Sequence, residues 1–149
     1  MKNINITINF DLDGTIANLY GVPNWLEYLI AEDTTPYEIA EPLLRLSALA
    51  RRLNTLQRNG YRLAVVSWLS KSGSEAYNEE VTEAKLDWLA EHLPSVRWDE
   101  IIIVPYGTPK ETFCHTAEDV LFDDEEHNRN NWTGKAFDVD DSLAVLGGF

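Results

Sequence analysis

Two carboxylates, Asp11 and Asp13, stand two residues apart after an apolar segment and just before Gly14 and Thr15. A second acidic pair, Asp123 and Asp124, follows the apolar run Val120–Phe122. Ser67 closes another such run, and Lys110 follows Pro109 after a further one. These residue types suit phosphoryl transfer. One carboxylate can attack phosphorus to give an aspartyl-phosphate while a second protonates the leaving oxygen. In a continuing strand Asp11 and Asp13 point to one face. A dianionic phosphate would be repelled by these acids unless a cation lay between them, and hard oxygen donors suit Mg²⁺. Asp123, with Asp124 as a further candidate, can complete its shell. Lys110 can neutralise charge on the phosphoryl group, and Ser67 can hydrogen-bond one of its oxygens.

Whether these groups meet depends on the elements that carry them. Five segments read as strands: 4–10, 61–68, 101–104, Val120–Phe122 and 135–139. The middle three are short apolar runs of the kind covered on both faces. The first alternates Ile or Phe with Asn or Thr, which predicts one less apolar face. Between the strands, Leu46, Leu49, Leu53 and Leu56 form one stripe of a helix predicted over 41–59, with Gly60 as its stop. A second helix is predicted over 75–93, with Ser72 and Glu75 as its capping box and Pro94 beyond its end. Short helices are expected after Asp124 and Asp141. Strands alternating with helices imply βαβ units, right-handed crossovers and a mainly parallel five-stranded sheet, in a single α/β domain over 1–149. In such sheets ligands bind beyond the carboxyl ends of the strands, where all the polar groups named above fall.

Composition narrows the function classes. Twelve Lys and Arg against 25 Asp and Glu give a net charge of −13, which argues against wrapping long nucleic acid. A hydrophobic content of 44% excludes a disordered acidic tail. One cysteine, Cys114, excludes a disulfide framework and a multi-cysteine zinc site, and fits a reducing, cytoplasmic setting. No apolar run is long enough to span a membrane, and the N-terminus does not read as a signal peptide. Residues 42–74 contain six basic residues and no acid, whereas 111–149 hold ten acids against Arg129 and Lys135. Both blocks read as solvated faces. Within the second, Asp138, Asp140 and Asp141 either extend a metal site or cap the last helix. His127 reads as a helix-surface residue, and Cys114–His115 has no evident third partner.

Phe10-Asp11-Leu12-Asp13-Gly14-Thr15 resembles the first signature of the haloacid dehalogenase (HAD) superfamily of phosphohydrolases. Leu63-Ala64-Val65-Val66-Ser67 resembles the second, Pro105-Tyr106-Gly107-Thr108-Pro109-Lys110 the third, and Val120-Leu121-Phe122-Asp123-Asp124 the fourth, in family order. The resemblance implies a three-layer Rossmann-like sheet of order 5-4-1-2-3. It implies Asp11 as nucleophile, Asp13 as general acid and then base, and Mg²⁺ held by Asp11, Asp123 and the Asp13 carbonyl. Asp124 would be an alternative ligand or lie just behind these. Ser67, Lys110, Gly14 and Thr15 would bind phosphate, and Asn128 would hold Asp124 or substrate.

Family specificity comes largely from a cap, for which residues 16–40 leave room for one or two short helices. Tyr20, Trp25, Tyr28 and Tyr37 fall there, able to stack on a base or to pack the cap itself. The expected activity is therefore a minimal-cap, Mg²⁺-dependent phosphatase of small phosphorylated metabolites, resembling the 5′-deoxyribonucleotidase-like members. The alternatives are a phosphatase acting on the phosphorylated end of a nucleic acid or protein, and a non-catalytic HAD-like binding module. A second subunit could cover so open a site.

Overall fold

The computed structural model describes residues 5–149, without the side chain of Asp141. Its sheet has five parallel strands: Thr7–Phe10 (β1), Arg62–Trp68 (β2), Glu100–Val104 (β3), Val120–Phe122 (β4) and Lys135–Phe137 (β5). Their order, β3-β2-β1-β4-β5, matches the order implied by the resemblance. The expected first residue of strand one, Ile4, lies outside the described residues.

The alternating strand β1 lies at the centre of the sheet, and all four of its residues are buried. Its polar positions are accommodated by specific partners rather than by solvent. The Asn9 side-chain amide donates to the Val120 carbonyl (3.1 Å), and the Thr7 amide donates to Asp119 Oδ1 (3.0 Å). Buried polar groups persist only with such partners. Conversely, the apolar run 101–104 is not covered on both faces. It forms the edge strand β3, and Ile101 is 37% exposed. β5 is shorter than predicted, because Asp138 caps a turn at Val139–Asp141.

The helices are Trp25–Ile30 (α1), Thr35–Ile39 (α2), Leu46–Arg58 (α3), Glu75–His92 (α4), Glu126–Asn131 (α5) and Ser142–Leu146 (α6). α3 begins five residues later than predicted. Residues 41–43 are instead extended beside 16–18, with Asn18 N donating to Glu41 O (2.7 Å) and Leu43 N to Ile16 O (2.8 Å). The Leu stripe of α3 survives: Leu49, Leu53 and Leu56 are buried in the main core with Ile8, Phe10, Leu63 and Val65. Phe10 stacks on Phe122 across β1 and β4, at 5.1 Å between centroids. The expected capping box at α4 is replaced by a cap two residues later. Ser74 Oγ accepts from Tyr77 N (3.1 Å), while Ser72 sits at φ 64° in the preceding turn.

The segment predicted as a cap does contain two short helices, α1 and α2. They rest on a second, smaller core of Leu19, Tyr37, Tyr77, Val81 and Ala84, so α4 is the surface on which the cap is mounted. Glu32 fastens it. Its carboxylate accepts from both Ser74 N (2.7 Å) and Ser74 Oγ (2.9 Å) at the start of α4, and Tyr77 Oη donates to the Asp33 carbonyl (2.9 Å). Those bonds offset the cost of holding Glu32 at φ 55°, in the left-handed region. Replacing Glu32 by Ala should loosen α1 and α2 while leaving the sheet intact. Amide-exchange protection over residues 25–39 should fall about tenfold, equivalent to losing one charge-assisted hydrogen bond of ~1.5 kcal/mol. β1 and β4 should keep their protection.

Candidate active site

Because β1 and β4 are neighbours in a parallel sheet, the residues that follow them emerge side by side. Asp11 N still donates to Phe122 O (2.9 Å), and Asp123 N donates to Phe137 O (3.2 Å), so both backbones are fixed where their carboxylates begin. Oxygens of Asp11, Asp123 and Asp124 all lie within 4.8 Å of one another. Lys110, 2% exposed in a short turn at Lys110–Phe113, reaches between the first two, at 3.0 Å from Asp11 Oδ1 and 2.7 Å from Asp123 Oδ2. Its ammonium also lies 5.3 Å from the centre of the Trp68 ring.

Each carboxylate has its own support. Thr15 Oγ1 donates to Asp11 Oδ2 (3.0 Å). Asp123 Oδ1 accepts from Glu125 N (2.9 Å), and its Oδ2 also accepts from Asn128 Nδ2 (3.2 Å). Gly14, at φ 82°, lies against Asp124 so closely that a Cβ there would collide with the carboxylate. That close approach requires glycine.

Several of these residues have partners the sequence did not suggest. Thr15 supports the nucleophile candidate, and the Gly14 amide donates to the Ala17 carbonyl (2.8 Å). Asn128 holds Asp123 and Glu125, not Asp124. Asp138 caps Val139 and lies near Arg129 (3.7 Å), apart from the carboxylate cluster. Ser67 is 1% exposed, and its Oγ accepts from Lys85 Nζ (2.7 Å), a partner absent from the sequence reading. Lys85 also donates to the Trp68 carbonyl (2.6 Å) and pairs with Asp13 Oδ2 (2.9 Å). The signal for Lys85 was present: it lies on α4 with Val81 four residues before it and Trp88 and Leu89 three and four after, all buried. A lysine on the apolar face of a helix needs a buried anionic partner.

Above the carboxylates opens a cavity of about 600 Å³ whose wall includes Tyr20, Trp25, Leu26 and Ile30 from the cap segment, Trp68 at the end of β2, and Lys71 and Tyr106 from the loops after β2 and β3. Tyr20 and Trp25 meet edge-on at 4.9 Å, and Trp68 and Tyr106 pack at 4.9 Å. Tyr37 also lines it, whereas Tyr28 does not.

The electrostatics favour a cation. Among the described residues, Asp11, Asp13, Asp123 and Asp124 are set against two ammonium groups, Lys85 and Lys110. Burial, followed by the charge of Asp11, pushes the Asp123 carboxyl up to about 6. Burial, then the hydrogen bond and charge of Asp11, push Asp124 up to about 8. Burial also raises Asp13 against the pull of Lys85, which suits a proton donor. For Lys110, burial alone would lower the pKa, but Asp11 and Asp123 outweigh it and raise it. Three hard oxygen donors with unbalanced negative charge fit a divalent ion such as Mg²⁺.

These shifts have a definite sign for stability. An unfolded aspartate ionises near pH ~3.9, so between that point and about 8 the folded, metal-free protein retains protons at Asp123 and Asp124 that the unfolded chain has lost. Metal-free stability at this site should therefore decline as pH rises through that window. Stabilisation by Mg²⁺ should grow over the same window, because the ion needs both groups ionised. At 100 times its Kd, Mg²⁺ should raise Tm by roughly 5–10 °C at pH 8 and clearly less at pH 5. Melting curves with and without Mg²⁺ at both pH values check this, and a pH-independent shift would remove the cluster as a cation site.

No protein-family model matches the sequence, and no curated protein matches it. A solved structure does: the crystal structure of a D,D-heptose 1,7-bisphosphate phosphatase from Burkholderia thailandensis is similar to this chain. It superposes with a TM-score of 0.52 at 15% sequence identity, covering 95% of this chain and 74% of that one. At that identity the likeness is one of fold. The chain has the α/β fold expected from its signatures, a HAD-like, Rossmann-type five-stranded parallel sheet with helices.

Proposed function

We propose that this protein is a Mg²⁺-dependent phosphomonoester hydrolase that works through an aspartyl-phosphate. The observation that carries the reading is the convergence of Asp11, Asp123 and Asp124, the first two bridged by Lys110, with Asp13 beside them on the cavity wall. Asp11, Asp123 and Asp124, with the Asp13 carbonyl implied by the resemblance, would hold Mg²⁺. When bound, that ion supplies charge neutralisation and orients the ester.

The chain's own groups account for the remaining steps. Lys110 lies against the Asp11 carboxylate and draws the phosphoryl charge toward it. An Asp11 carboxylate oxygen attacks phosphorus, the ester P–O bond breaks, and the Asp13 carboxyl gives its proton to the departing alkoxide. Asp13, now ionised, takes a proton from water as the water oxygen attacks phosphorus. The P–O bond to Asp11 then breaks, releasing inorganic phosphate and restoring both residues.

For the substrate, we propose a small phosphorylated metabolite with a ring, of which a nucleoside 5′-monophosphate is the leading case. The Tyr20–Trp25 and Trp68–Tyr106 pairs on the cavity wall supply flat apolar surface for a base. A cavity roofed by the cap favours a small molecule over a polymer end. A phosphate-release screen over nucleoside monophosphates and sugar phosphates, with Mg²⁺ or EDTA, tests both parts. Release should require Mg²⁺ and fall at least ~10³-fold in Asp11→Asn, as expected for loss of a nucleophile. Substantial turnover by Asp11→Asn would overturn the mechanism, whereas activity on sugar phosphates alone would overturn only the nucleotide assignment.

A further inference from the structure

Lys85 is an ammonium with no direct access to solvent, 1% exposed and enclosed by four segments of chain. It has three N–H donors, and all three are committed: to Ser67 Oγ at 2.7 Å, the Trp68 carbonyl at 2.6 Å and Asp13 Oδ2 at 2.9 Å. The Tyr37 ring of α2 closes the remaining side, 5.4 Å from Nζ. No donor is left over for a substrate oxygen, so Lys85 differs from Lys110, whose ammonium faces the cavity among the carboxylates. Anything Lys85 does for a reaction must pass through the groups it holds.

Of those residues, Asp13 and Trp68 line the cavity, and Asp13 is the one whose side chain can exchange a proton. Among the described residues its Oδ2 has Lys85 as partner, while its Oδ1 has no hydrogen-bond partner. One oxygen is anchored and the other is left to exchange a proton. Ser67 Oγ accepts from the same ammonium that pairs with Asp13, so it secures Lys85 in place. An apolar side chain of similar length at position 85 would fill the same volume, but it would leave the Asp13 carboxylate, Ser67 Oγ and the Trp68 carbonyl without their partner. Removing one side of a buried pair is destabilising in itself, so stability does not distinguish a structural ammonium from a positioning one, and leaving-group chemistry does.

We propose that Lys85 is a positioning residue for the hydrolysis proposed above, on which this inference rests: held by Ser67 and the Trp68 carbonyl, it fixes the Asp13 carboxyl so that one oxygen faces the leaving group. Protonation of the leaving group then depends on a helix residue that never touches substrate.

Leaving-group dependence tests this, because 4-nitrophenolate departs without a proton and an alkoxide does not. The quantity read is kcat/KM, which covers steps up to departure of the leaving group, for 4-nitrophenyl phosphate and glycerol 1-phosphate with Mg²⁺. In Lys85→Met the nitrophenyl-to-glycerol ratio should rise at least tenfold over wild type, in the direction of Asp13→Asn. In the Asp13→Asn background, Lys85→Met should cost no more than about a further twofold on glycerol phosphate. Lys85→Gln and Ser67→Ala are run in parallel, so that the ratio is read even if Lys85→Met does not fold; each should raise it severalfold. A parallel loss on both substrates, or full additivity with Asp13→Asn, would make Lys85 merely structural and overturn the proposal. If wild type releases phosphate with Mg²⁺ from neither ester nor from any nucleoside monophosphate or sugar phosphate, the hydrolase reading fails and this one falls with it.

Discussion

Like charge at close quarters governs this structure. Parallel pairing of β1 with β4 delivers Asp11 and Asp123 to the same rim, and Asp124 and Asp13 arrive with them. Such a group of carboxylates is unfavourable when buried, and the surroundings are built to contain it. Lys110 bridges two of them, Lys85 takes the fourth, and Thr15, Asn128 and the Glu125 amide satisfy remaining lone pairs. Even so, burial and the neighbouring Asp11 raise both Asp123 and Asp124, so negative charge on that pair stays costly.

Much of this was legible in the sequence because strand ends announce themselves. An apolar run followed at once by acids places those acids at the carboxyl rim, whichever helices lie between, so Asp11, Asp123 and Lys110 could be brought together before any coordinates. What periodicity missed has a common cause: a tertiary partner overruling a local pattern. The Asn9 position of β1 reads as half-exposed, but the Val120 carbonyl satisfies its side chain in the interior. Residues 41–43 resemble the first turn of α3, yet pairing with 16–18 holds them extended. Lys85 was hidden by its type, since a lysine on a helix is ordinarily a surface residue until its neighbours three and four positions away are seen to be buried.

The division into two cores separates tasks. The main core fixes the sheet and the carboxylate rim, while the smaller one beneath the cap fixes the cavity's roof. α4 belongs to both, with Trp88 and Leu89 in the first and Tyr77, Val81 and Ala84 in the second. Lys85 lies between these two sets, at the point where the helix passes from supporting the sheet to supporting the cap.

The cap is tethered at both of its ends. Residues 16–18 pair with 41–43, and Glu32 grips the first turn of α4. Between those anchors, Tyr20, Trp25, Leu26 and Ile30 reach the cavity without bonding to any of the four carboxylates. Chain length and side-chain size in that span can therefore change while the carboxylates beneath stay fixed. The shape of the cavity and the placement of its acids are set by separate stretches of sequence, so a descendant of this protein could reshape the roof without disturbing the floor.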